Sequence, residues 1–209
     1  MIKVGLLVES GRIGIETVVC RRICSLLNIE HQAQIEVDIV SMDNKRRLLN
    51  ECATATAALL ASGCTRVVIL WDERPAWPSM HEELCWHRDR EYALSQLTAD
   101  NIPIDRVHLV CIEREFESWL MFDHNMLSRV LSKPTHKVTF PKVRRPDRNK
   151  NPKGTLGSKI KELSGMTYVD VNFAPMFAKE LDSLNRLFKC VTFKRFASRL
   201  TGIDFEGGS

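Results

Sequence analysis

The chain has 209 residues, 44% of them hydrophobic, and a formal net charge of +4. That length fits one domain with at most a small appendage, and the apolar share supports a sizeable core, which excludes a disordered or fibrous protein. No apolar run is as long as a membrane helix and the N-terminus opens as a strand, so a cytoplasmic protein without a signal peptide or membrane partner is expected. Seven cysteines, an odd number scattered through apolar or helical contexts, read as reduced thiols.

Ile2 to Val8 is an apolar run of strand length that ends at Glu9 and is followed by Ser10-Gly11-Arg12-Ile13-Gly14. A buried strand, an acid and a Gly-rich turn into a helix open a βαβ unit. Gly11 and Gly14 fit neither dinucleotide nor Walker spacing, and no Gly-Lys-Ser/Thr follows, so the turn does not read as a phosphate loop. Ile15 to Leu27 has the period of an amphipathic helix. Ile35 to Val40 alternates with period two, as a half-buried strand near a sheet edge does. Asp43 to Ser62 reads as a second helix, stopped by Gly63.

Val67 to Trp71 is continuous, apolar and β-branched, the pattern of a strand buried on both faces of a parallel sheet. It stops at Asp72 and Glu73, and Pro75 forbids its continuation as an inner strand. Ligands of open α/β sheets sit outside the carboxyl ends of the strands, and hard cations take oxygen ligands. A lone acid after a strand also serves as a turn cap. Two acid-terminated strands favour a site, with Glu9 facing Asp72 and Glu73 across neighbouring strand ends. A loop from Pro75 to Met80 lies beside that site, and His81 to Asp100 reads as a third helix. Arg106 to Ile112 is a further strand ending in Glu113, Glu115 and Glu117, of which Glu115 and Glu117 also suit pairing with Arg114 or capping the next helix. Phe116 and Trp119 read as core. The β-α-β-α-β-α-β order predicts an α/β fold, a mostly parallel sheet flanked by helices.

Asn125 to Leu131 reads as a short helix. From Lys137 to Lys161 nine Lys or Arg residues stand against one acid, Asp147, among Pro141, Pro146, Pro152, Gly154 and Gly157. This stretch is expected to be a loop, either a solvated excursion or a contact for a nucleic-acid backbone, where clustered cations gain from counterion release. Helices follow at Ser158 to Leu163, Pro175 to Leu187 and Thr192 to Leu200. Gly207-Gly208-Ser209 reads as tail. Cys20 with Cys24, and His81 with Cys85 and His87, suggest zinc, but no second ligand pair has the usual spacing.

The acid-terminated strands at Glu9 and Asp72, inside about a hundred residues of α/β sequence, resemble a Toprim domain, the metal-binding module of topoisomerases, primases and nucleases of the overcoming-lysogenization-defect type. The run Ile112-Glu113-Arg114-Glu115-Phe116-Glu117-Ser118-Trp119-Leu120 and the tail Cys190-Val191-Thr192-Phe193-Lys194-Arg195-Phe196 resemble a narrower group: small Toprim-like bacterial proteins encoded beside ABC- or AAA-type ATPases in defence loci. The resemblance covers nearly the whole chain. It implies a Toprim-like (Rossmannoid) domain at 1–131, a basic loop at 132–157 and a helical extension at 158–206 packed on the same domain.

The implied activity is Mg²⁺- or Mn²⁺-dependent phosphodiester cleavage of DNA or RNA, as the effector subunit of an anti-phage system with an ATPase partner. Glu9, Asp72 and Glu73 would be catalytic. Those three with Glu113 and Glu115 would hold metal, and Lys142, Arg144, Arg145, Arg148, Lys150 and Lys153 would clamp the backbone. Toprim domains carry Asp-x-Asp after the second strand, whereas this chain reads Asp72-Glu73-Arg74. That departure favours an alternative, a catalytically silent regulatory subunit or a nucleic-acid-binding protein docking on an ATPase, with self-association left open.

Overall fold

Four apolar segments of near-equal length pair side by side into one parallel sheet in the order β2-β1-β3-β4. The computed structural model describes residues 1–79 and 83–207. In chain order these are β1 (Ile2–Val8), α1 (Ile15–His31), β2 (Ile35–Ser41), α2 (Lys45–Ala61), β3 (Arg66–Asp72), α3 (Trp86–Ala99), β4 (Val107–Ile112), α4 (Glu117–Leu120), α5 (His124–Leu131), α6 (Pro152–Ser164), α7 (Asp170–Glu180) and α8 (Val191–Thr201). The fold is α/β and Rossmann-like, and β2 lies at a sheet edge as its alternation predicts. Val8 of β1 stands level with Leu70 of β3, and Asp72 of β3 with Ile112 of β4, so three strands end at one rim. Among the described residues no helix is long and apolar enough to cross a membrane.

Period two divides the sheet into two apolar faces. Val4, Leu6, Val8, Val68, Leu70, Val110 and Ile112 join a large core with α1, α5, α7 and α8, which also buries Phe116 and Trp119. Leu7, Val67, Ile69, Trp71 and Val107 face a smaller core under α2 and α3. α2 rides so close on β1 that a Cβ at Gly5 would meet Leu59 Cδ1 at 2.7 Å. All seven cysteines are free thiols. Cys20 and Cys24 belong to the large core, where burial pushes the Cys24 thiol up to about 12, far from the thiolate a zinc ion needs.

Three helix boundaries depart from the sequence expectation. The third helix begins at Trp86, because Cys85 has extended backbone with φ −147°; His81 lies outside the described residues. α6 begins at Pro152, so Lys153, Gly154 and Gly157 are helical and the basic loop is shorter than expected. The Asn151 side chain accepts the Gly154 N–H at 3.1 Å, and proline at a first helical position gives up an N–H that has no partner there anyway. α7 runs from Asp170 to Glu180 with Pro175 inside it, so the proline removes one bond without starting the helix. Leu187–Lys189 forms a separate 3₁₀ turn.

One buried ion pair fixes the chain as it leaves β3. Lys45, at the start of α2, puts its ammonium 2.7 Å from Asp89 of α3, with both side chains at most 3% exposed. The same nitrogen donates to the carbonyls of Glu73 and Pro75, each at 2.8 Å. Removing one partner strands the other charge in a place water cannot reach. Lys45→Met is therefore expected to cost about 3–5 kcal/mol in urea unfolding, and Lys45→Met with Asp89→Leu distinctly less. Single variants within about 1 kcal/mol of wild type would show that the pair contributes no more than a surface bridge.

Candidate functional site

The strand order reverses between β1 and β3: from β1 the chain crosses to β2 on one side, and from β3 to β4 on the other. At such a switch point the connections part in opposite directions and leave a crevice beyond the strand ends. Here the crevice is a cleft of about 360 Å³ whose lining includes Glu9, Glu16, Asp72, Arg74, Glu117 and Asp170. The Glu9 carboxylate accepts the backbone N–H of Asp72 at 3.2 Å, extending the β1–β3 pairing beyond the last main-chain pair. Glu9 and Asp72 therefore meet.

Asp72 is 8% exposed, and its Oδ2 accepts the Phe116 N–H at 3.1 Å. Glu16 enters from the first turn of α1, where Gly14 precedes the helix. A Cβ at Gly14 would meet Ser10 Cβ at 2.5 Å, so this tight turn excludes a larger residue. Glu117 opens α4, and its Oε1 accepts the Tyr168 hydroxyl at 2.9 Å. Asp170 opens α7. Acids in first helical turns face the positive end of the helix dipole, which suits Glu16 and Asp170 at the starts of α1 and α7.

The residues expected to hold metal divide into two groups. Glu73 and Glu113 are absent from the cleft. They line a separate groove of about 710 Å³ with Trp71, Cys111 and residues of α3 and α8, because neighbours in an extended segment point opposite ways. Glu73 is held there by the Arg114 guanidinium at 3.3 Å, the partner expected for Glu115 or Glu117. Glu115 lines the cleft, yet its Oε2 accepts the Lys153 N–H at 2.9 Å and so secures the start of α6. Lys142, Arg144, Arg145, Arg148 and Lys150 are exposed. The Lys153 ammonium instead bonds Asp170 Oδ2 and stands 3.8 Å from Glu117 Oε1, inside the cleft. Arg74, where the resembling family has an acid, also lines the cleft and donates to the Lys150 carbonyl at 2.8 Å.

Glu16 and Asp170 escaped the sequence reading. Neither terminates a strand, and Asp170 lies in what looked like loop ahead of Pro175. The one available signal was an acid two residues past Gly14 at a helix start.

Burial raises Glu9, Glu16, Asp72 and Glu117. It lifts Glu9 to about 8, helped by the charge of Glu16, and Glu117 to about 7 against the opposing pull of Lys153. Asp72 is held well above the usual carboxylate range by burial, then by Glu16 and Glu9. Glu16 is raised by burial against a hydrogen bond from Ser10. Among the described residues no hydrogen-bond donor reaches the buried oxygens Glu16 Oε2, Asp72 Oδ1 or Asp170 Oδ1. Carboxylate oxygens are the donor type that hard divalent ions take. No three His, Cys, Asp or Glu side chains among the described residues are drawn tightly enough to ligate one ion as they stand. Compared with protein-family models, curated proteins and solved structures, the chain finds no match.

An acid whose folded pKa lies above its unfolded value near 4.3 favours folding most when protonated, below that value. The contribution disappears as pH rises through the folded pKa, to about 7 for Glu117 and about 8 for Glu9. In EDTA the urea midpoint should therefore fall between pH 5 and about 8, and Glu9→Gln should flatten the upper part of the fall. An identical slope in wild type and Glu9→Gln would contradict the assigned burial of that charge.

Proposed function

We propose that the protein is a divalent-cation-dependent phosphodiesterase acting on nucleic acid, with the cleft between the ends of β1 and β3 as its active site. The reading is carried by the meeting of Glu9 and Asp72 where the strand order reverses, with Glu16, Glu117 and Asp170 on the same cleft. Mg²⁺ or Mn²⁺ bound there would polarise a phosphoryl oxygen and offset the charge that builds on it. Asp72, Glu16 and Asp170 would hold the ion through the oxygens that no donor reaches. Glu9, whose carboxylate sits at the Asp72 N–H beside those ligands, is placed to take the proton of the attacking water. Water's oxygen bonds to phosphorus, one P–O ester bond breaks, and the departing oxygen takes a proton from solvent. Lys142, Arg144, Arg145, Arg148 and Lys150 neutralise flanking phosphates and confer no base specificity.

Arg74 favours a second reading, a catalytically silent subunit that binds nucleic acid and docks on an ABC- or AAA-type ATPase. Its guanidinium brings a positive charge to the cleft where the resembling family places another acid. Under the nuclease reading the protein would instead serve as a defence effector whose cleavage such a partner stimulates.

The two readings separate in one experiment, in which plasmid, single-stranded DNA and tRNA are incubated with the protein in Mg²⁺, Mn²⁺ or EDTA. Metal-dependent cleavage is expected, reduced roughly 10²-fold or more by Glu9→Gln and by Asp72→Asn. Binding without cleavage in any metal supports the silent subunit. In either case Arg144→Ala with Arg145→Ala should weaken binding and lower the salt slope by about 1 to 2. An unchanged slope would remove the basic loop from the interface.

A further inference from the structure

We propose that the Lys153 ammonium is the resident cation of the cleft, competing with a divalent ion for the same acids and withdrawn when the basic loop engages a polyanionic backbone. The proposal rests on the cleft being a cation site and adds how that site is kept shut. Lys153 is the second residue of α6, directly after the loop that carries Arg144, Arg145, Arg148 and Lys150. Its ammonium bonds Asp170 and lies near Glu117. An ammonium has three donors and one charge. It leaves Glu16 Oε2, Asp72 Oδ1 and the second oxygen of Asp170 without a donor, so it fills the site only in part. A divalent ion would satisfy more of these oxygens, but it cannot share the space with a second positive charge at ion-pair distance.

The loop and the cleft are also joined mechanically. Arg74, at the cleft, holds the Lys150 carbonyl, and Glu115, on the cleft wall, holds the Lys153 N–H. The Lys153 side chain is 48% exposed, so its head can swing out without opening the core. Phosphates drawn to Arg144, Arg145 and Lys150 offer that head an alternative anion close by. Substrate binding and ion loading are thereby coupled through one side chain, and by linkage each favours the other.

The test measures Mn²⁺ binding by calorimetry and by the EPR signal of free Mn²⁺, so it does not depend on cleavage. Lys153→Met is expected to bind Mn²⁺ about tenfold tighter than wild type or more, and Lys153→Arg to remain as weak as wild type. A short thymidine oligonucleotide should tighten Mn²⁺ binding by wild type and leave Lys153→Met unchanged. That enhancement should vanish in Arg144→Ala with Arg145→Ala. Asp72→Asn should lose Mn²⁺ in every background, and melting curves confirm that each variant is folded. If Lys153→Met binds Mn²⁺ no tighter than wild type while Asp72→Asn abolishes binding, the cleft is a cation site and the lysine role is overturned. If neither wild type nor Lys153→Met takes up Mn²⁺ at millimolar concentration, the cation site itself falls, and the lysine role with it.

Discussion

The contact on which the site depends is the hydrogen bond from the Asp72 backbone to the Glu9 carboxylate. Main-chain pairing of β1 and β3 ends at Val8 and Leu70, and this bond carries the association of the two central strands one step further. It exists because both strands run the same way and end at the same rim, and because no connection crosses between them there. A parallel sheet whose order reverses at its centre leaves such an opening by construction. The helices that follow then determine which side chains fill it.

The filling is unfavourable in isolation. Glu9, Glu16, Asp72 and Glu117 are removed from water and placed near one another, and burial is the first cause of the raised pKa of each. Several arrangements offset this cost: the Phe116 N–H on Asp72, the Tyr168 hydroxyl on Glu117, the first turns of α1 and α7, and the Lys153 ammonium. None of them reaches the three free carboxylate oxygens. A divalent ion in this cleft, as proposed, would answer part of that unmet demand. The Lys45–Asp89 pair on the other side of the sheet differs in setting one ammonium directly against one buried carboxylate, and that ammonium also bonds the carbonyls just after β3.

Legibility differed sharply along the chain. The strands were clear because β-branched apolar runs of that length have few alternatives, and their acidic ends marked Glu9 and Asp72. The same periodicity separates Asp72 from Glu73: Leu70 and Asp72 belong to one face, Trp71 and Glu73 to the other. Helix starts were less clear. Pro152 looked like loop and Pro175 like a helix start, yet the first opens a helix and the second lies within one, since a capping Asn and a single missing bond are enough to accommodate them. That misreading concealed the two residues that most change the site, Lys153 and Asp170.

The sequence by itself determined the elements and the faces they present, because hydrophobic period and strand-ending acids are local properties that survive without neighbours. It could not determine which distant side chains share a cleft. Glu16, Glu117, Lys153 and Asp170 come from four helices, and their meeting depends on how α1, α4, α6 and α7 pack around the rim of the sheet. Packing directions of that kind are decided by the whole core at once, and only the tertiary structure records them.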